Sequence, residues 1–83
     1  MRTRTEIQQD QDAISRELVT LEQREIHEIE TYDYRAYRLQ QITPASCRTG
    51  QNRVRRKARE KREKLMARWH ELRAEMERVA GDG

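Results

Sequence analysis

The feature that most limits what this chain can become is an apolar stripe at helical spacing inside a sequence that is 40% charged. In the second half, Val54, Ala58, Leu65, Trp69, Leu72, Met76 and Val79 recur, with Lys61 in the one gap, at steps of 4, 3, 4, 4, 3, 4 and 3 residues. A half-buried strand needs alternation at two, whereas steps of three and four put every mark on one face of a helix. The first half repeats the pattern through Ile7, Ile14, Leu18, Leu21, Ile29, Tyr32, Ala36 and Leu39, with Gln11 and Glu25 in the intervening positions. Two long amphipathic helices result, and the expected fold is all-α: a long antiparallel two-helix coiled-coil hairpin.

Turn chemistry places the break. Residues 42–50 read Ile-Thr-Pro-Ala-Ser-Cys-Arg-Thr-Gly, which holds the chain's one proline and a glycine. Thr43 before Pro44 is a helix N-cap with proline at the first helical position, so a short helical turn through Cys47 is expected inside the connection, with Thr49 and Gly50 reversing the chain. The expected organisation is a single hairpin domain over 1–83, with helices at about 6–41 and 51–80 and a loop at 42–50. Folding about that loop pairs residues whose numbers sum to about 93 or 94. It sets Ile29 against Leu65, Tyr32 against Lys61, and Glu25 against Arg68 and Trp69. Each helix also has two consecutive steps of four, at Leu21–Glu25–Ile29 and Lys61–Leu65–Trp69, and this register lays the two irregularities opposite each other.

Charge this dense with few turn residues is also the composition of disordered segments, but those lack a periodic apolar face. No apolar run reaches membrane-spanning length and the first residues have no apolar core of the signal-peptide kind, so the expected compartment is the cytoplasm. Cys47 is the only cysteine, which excludes an internal disulfide framework.

Candidate functional residues follow from charge asymmetry. Residues 1–42 hold six Arg against nine acids, while residues 43–83 hold twelve Lys and Arg against six acids. Arg48, Arg53, Arg55, Arg56, Arg59 and Arg62, with Arg35 and Arg38 from the first helix, are the candidate contacts to a nucleic-acid phosphate backbone, because phosphates demand convergent cations and little else. The alternative is a protein-binding adaptor or small inhibitor that docks its basic face and apolar flank on an acidic protein. A third reading is a solvated face laced by pairs four apart, Arg56 with Glu60, Glu60 with Lys64 and Arg59 with Glu63. Val19, Ile26 and Tyr37 form a second apolar flank and Met66 lies beside Leu65. This strip is expected to be an oligomer interface that pairs two hairpins as a four-helix homodimer.

Asn52 followed by basic residues, with Leu65, Leu72 and Val79 at sevens, resembles the basic-region zipper family. That family has small residues three and four positions beyond the Asn and an Arg at the eighth, where this chain has Arg55, Arg56 and Glu60, and the family is not adopted. His27 and His70 sit on different helices, the acids form no metal-ligand spacing, and no glycine-rich phosphate loop occurs. The sequence therefore points away from an enzyme, and implies no cofactor, metal or small-molecule substrate.

Overall fold

A computed structural model of the protein describes residues 2–81, with side-chain surroundings for 2–79. Thr3 caps the first helix by accepting the Glu6 N–H at 3.2 Å, a Thr-x-x-Glu start one half-turn earlier than the apolar pattern alone implies. From there α1 runs Arg4–Asp33 and widens into a five-residue π-helical segment, Tyr34–Arg38. The second helix, α2, runs Pro44–Gly81. The two lie antiparallel in a hairpin of 62 × 16 × 13 Å.

The chain reverses between Leu39 and Thr43, several residues before the expected place. The Leu39 N–H donates to the Tyr34 carbonyl at 3.0 Å and the Gln41 N–H to the Arg35 carbonyl at 2.8 Å, a closure one residue wider than the usual Schellman bond. Gln40 supplies the left-handed turn residue with φ 52°. Thr43 then caps α2: its Oγ1 accepts the Ser46 N–H at 3.1 Å, and its carbonyl accepts the Cys47 N–H at 2.9 Å. The Thr-Pro cap is therefore as expected, but it opens the whole second helix and not a short turn. The expected 42–50 loop is corrected accordingly, since residues 44–50 are the first two turns of α2.

That correction moves the register. Gln51 bonds the Ile29 carbonyl and Asp33, Tyr32 lies against Gly50, and Arg62 pairs with Glu25, so facing residues sum to between 80 and 87 and not 93 or 94. The shift is roughly eleven residues, about three helical turns or 16 Å. Leu65 therefore packs toward the cluster of Ile7, Ile14 and Leu72, and not against Ile29. Glu25 meets Arg62 and not Arg68, which instead pairs along its own helix with Glu71 at 3.3 Å. Trp69 carries the Arg73 guanidinium 5.6 Å above its ring.

The faces themselves fall where the periodicity puts them. Ile7, Gln11, Ile14, Leu18, Leu21, Glu25, Ile29, Tyr32 and Ala36 are the buried or half-buried stripe of α1, and Val54, Ala58, Leu65, Trp69, Leu72, Met76 and Val79 that of α2. Leu39 departs from the stripe and is exposed, because the π turn changes the phase ahead of it. Cys47, Gly50 and Gln51, placed by turn chemistry in the loop, are buried on the continuation of the α2 stripe. Ile7 and Leu72 are fully buried, and each contributes about 1.5–3 kcal/mol relative to exposure.

Gly50 occupies a helix interior, where glycine costs about 1 kcal/mol relative to alanine. A Cβ there would stand 2.5 Å from Tyr32 Cζ and 2.9 Å from its Oη, so the missing side chain is the seat of the ring. A double-mutant cycle tests this. In a Tyr32→Ala background, Gly50→Ala is expected to raise stability by about 1 kcal/mol, the full helix-propensity gain. In the wild-type background the gain shrinks or reverses, because the ring must leave its seat. Equal gains in both backgrounds, read by chemical denaturation, would remove the packing role.

Candidate functional site

The loop end is organised by one polar latch. Gln51, buried in the second turn of α2, donates from Nε2 to the Ile29 carbonyl at 3.0 Å and to Asp33 Oδ1 at 2.7 Å, which uses both its N–H groups on α1. Cys47 donates to the same Asp33 oxygen at 3.6 Å. Burial pushes the Cys47 thiol up, and the hydrogen bond to Asp33 and that carboxylate's charge push it further, with Arg48 pulling the other way. A buried, protonated thiol of this kind is inert rather than nucleophilic.

Around this latch the candidate cations are all exposed. Arg35 and Arg38 belong to the π-helical segment and Arg48 to the second turn of α2, so these three share the hairpin tip. Arg53, Arg55, Arg56, Arg59 and Arg62 continue down α2 over about 14 Å at the helical rise. Because α2 is unbroken through residue 48, Arg48 is in helical phase with Arg55, Arg59 and Arg62 on one flank. Arg53 and Arg56 are not on that flank. Arg53 joins Lys57 and Lys61 opposite Arg24, Glu25 and Glu28, where these residues line a groove of about 360 Å³. A neighbouring groove of about 470 Å³ extends it past Arg16, Glu17 and Leu65. Both grooves mix cations with carboxylates along their walls.

The side opposite the grooves carries the other flank of each helix. In an antiparallel pair, positions displaced in the same chain sense from the two seams fall on the same side. Val19 and Ile26 of α1 therefore share a side with Arg55, Arg59, Arg62 and Met66 of α2. Val19 and Ile26 are 55% and 50% exposed, whereas Met66 is half-buried. Tyr37 is 61% exposed but lies within the π-helical segment, about 16 Å along the axis from Ile26, so it belongs with the tip and not with that strip.

Two features escaped the sequence reading. From Tyr34 to Arg59 there is no Asp or Glu at all, against eight Lys and Arg, a run legible in the sequence once one looks for acids that are missing. In the observed register, residues 23–59 form the loop-proximal half with nine cations and four acids, while residues 2–22 and 60–81 hold nine cations and ten acids. Within the described residues, none of the eight cations of the acid-free run has a carboxylate within 4.0 Å; Arg62, just beyond it, bridges to Glu25 at 3.0 Å. The pairs expected between Arg56 and Glu60, Glu60 and Lys64, and Arg59 and Glu63 do not form at this distance. The second feature is exposed Leu39, which the π turn takes off the seam and sets beside Tyr34 and Tyr37, two side chains that the helical period already turns outward.

Among the described residues, no group of three or more His, Cys, Asp and Glu is placed to hold a metal ion, and no helix is long and apolar enough to cross a membrane. Compared with family models, curated proteins and solved structures, the chain matches none.

The Cys47 environment gives a pH prediction. A thiol whose folded pKa is raised contributes stability that is fully present below the ordinary thiol pKa and is lost as pH rises through the folded value. Alkylation of native Cys47 should therefore set in above the usual thiol range. Asp33→Asn removes the carboxylate charge and is expected to move the alkylation midpoint to lower pH, with burial keeping it above the free-thiol value. An unchanged midpoint, with helicity intact by circular dichroism, would mean that Asp33 does not act on the thiol.

Proposed function

We propose that this protein is a non-enzymatic helical-hairpin protein whose basic loop-proximal half binds the phosphate backbone of nucleic acid, DNA or RNA, in the cytoplasm. One observation carries the reading: eight exposed Lys and Arg in an acid-free run, none with a carboxylate within 4.0 Å among the described residues. A face built for its own solubility would neutralise those cations along the helix at i and i+4, as Arg73 and Glu77 do at 3.7 Å further down α2. Arg35, Arg38, Arg48, Arg53, Arg55 and Arg56 are the contacts closest to the tip, with Arg59 and Arg62 extending the row. Such contacts hold a phosphate chain without reading its sequence.

A finer architecture goes with the reading: an antiparallel coiled coil that pairs with a second copy into a four-helix homodimer through the side bearing Val19, Ile26 and Met66. The exposure of Val19 and Ile26, 55% and 50%, supports this choice of side. Tyr37 is left out of the strip, since it lies at the tip.

Binding of unrelated duplexes should fall steeply with salt, with a log–log slope of about 0.9 per phosphate contacted. Arg55→Glu, Arg56→Glu and Arg59→Glu together should abolish it. Absence of wild-type binding to duplex and single strand alike at low salt would sink the nucleic-acid reading, and co-purification of an acidic protein whose affinity resists salt would favour a shaped protein interface instead.

Sedimentation equilibrium at micromolar concentration is expected to give twice the 10.1 kDa chain mass. Ile26→Lys should return the single-chain mass while circular dichroism stays helical. A wild-type species at the single-chain mass would remove the homodimer.

A further inference from the structure

Three of the five exposed large apolar side chains of the described residues fall within six positions at the hairpin tip: Tyr34 at 54%, Tyr37 at 61% and Leu39 at 45% exposure. Nothing in the hairpin's own fold covers them. They are interleaved with Arg35 and Arg38 in the π-helical segment, whose i to i+5 bonding brings residues four and five apart nearly into line, Tyr34 with Arg38 and Leu39. The segment is held by the two wide backbone bonds and by Gln40 at φ 52°, a left-handed conformation that is unfavourable for a non-glycine residue. From Tyr34 onward, no carboxylate occurs in the chain until Glu60.

Exposed aromatic rings interleaved along the chain with Arg35 and Arg38, at the head of a run with no acid from Tyr34 to Arg59, make a stacking surface with phosphate contacts in reach. A duplex hides the faces of its bases and gives such rings nothing to stack on. An unpaired base offers a π-face to Tyr34 or Tyr37 while its flanking phosphate meets Arg38 or Arg35. We infer that the hairpin tip is a binding site for unpaired nucleotides, with Tyr34 and Tyr37 stacking on bases, so that single strands or single-stranded ends are the preferred ligand of this protein. The inference rests on the phosphate-backbone reading proposed above and adds to it the form of nucleic acid and the residues that select it.

The test compares binding of a 16-nucleotide oligothymidine and of a duplex of equal length at two salt concentrations. Wild type is expected to favour the single strand. Tyr34→Ala and Tyr37→Ala should each weaken single-strand binding roughly tenfold, and leave duplex binding within about twofold. Tyr34→Phe and Tyr37→Phe, which keep the rings and lose only the hydroxyls, should retain wild-type affinity. Both tyrosines are more than half exposed, so circular dichroism of the variants should match wild type. If the Tyr34→Ala, Tyr37→Ala double variant binds the single strand as tightly as wild type, the tip inference is overturned while the phosphate reading stands. If the phenylalanine variants lose as much as the alanine ones, the tyrosines act through their hydroxyls and stacking is overturned. If wild type binds neither probe at low salt, both readings fail together.

Discussion

The latch of Gln51 on the Ile29 carbonyl and the Asp33 carboxylate is the constraint from which the rest of the hairpin follows. Two amphipathic helices with continuous apolar faces can slide along one another in steps of whole turns, and each slip buries a similar amount of apolar surface. A buried amide cannot slide so freely, because displacement by a turn would leave both its N–H groups without partners at a cost of about 1–3 kcal/mol for the unsatisfied group. The five-residue reversal at Leu39–Thr43 and the Gln51 latch act together on the same end of the molecule. Given that end, Arg62 can only reach Glu25, and Leu72 can only close on Ile7 and Ile14.

The two ends are built differently. The apolar cluster of Ile7, Ile14 and Leu72, with Leu18, Leu65, Trp69, Met76 and Val79 packed around it, occupies the open end, where the two helices are furthest from the covalent turn. The loop end buries small or polar side chains, Ala36, Cys47, Gly50 and Gln51, and closes by backbone bonds, the Thr43 cap and the Tyr32 ring seated on Gly50. A turn already holds the helices close at that end, so little apolar surface is needed there. At the open end only side-chain burial can prevent fraying, and the large residues are spent there. Between them lies the looser middle, where Glu25, Val54 and Lys61 line open grooves.

This division leaves the loop end free to carry charge. Eight cations without acids would repel one another strongly if they also had to be buried, but on an exposed, turn-closed end they project into water, and the cost of their mutual repulsion is small. The same placement gives the molecule an electrostatic direction along its length, positive toward the turn and near neutral toward the termini, and a field of that shape orients an approaching polyanion toward the tip before contact. The proposed nucleic-acid role and the tyrosines of the π-helical segment would use the same end, with the apolar strip of Val19, Ile26 and Met66 left on the shaft for a second copy.

The sequence by itself determined the two helices, their inward faces and the Thr43–Pro44 cap, because side-chain period and capping chemistry are local properties that three or four residues express. It also carried the charge run from Tyr34 to Arg59. It did not determine where the chain turns back. Gly50 looks like a breaker but is a helix residue whose missing side chain makes room for Tyr32, and Gln40, which makes the left-handed turn, is a residue type that carries no signal for it. A displacement of about three turns rotates no face, so both registers bury the same apolar faces, and the match of the step irregularities at Leu21–Ile29 and Lys61–Trp69, which pointed to the other register, is not met in the observed one. Only the tertiary structure decides between them, through contacts the pattern does not contain: the reach of Gln51 to Ile29 and Asp33, the ring on Gly50, and the wide π turn that takes Leu39 off the seam at the tip.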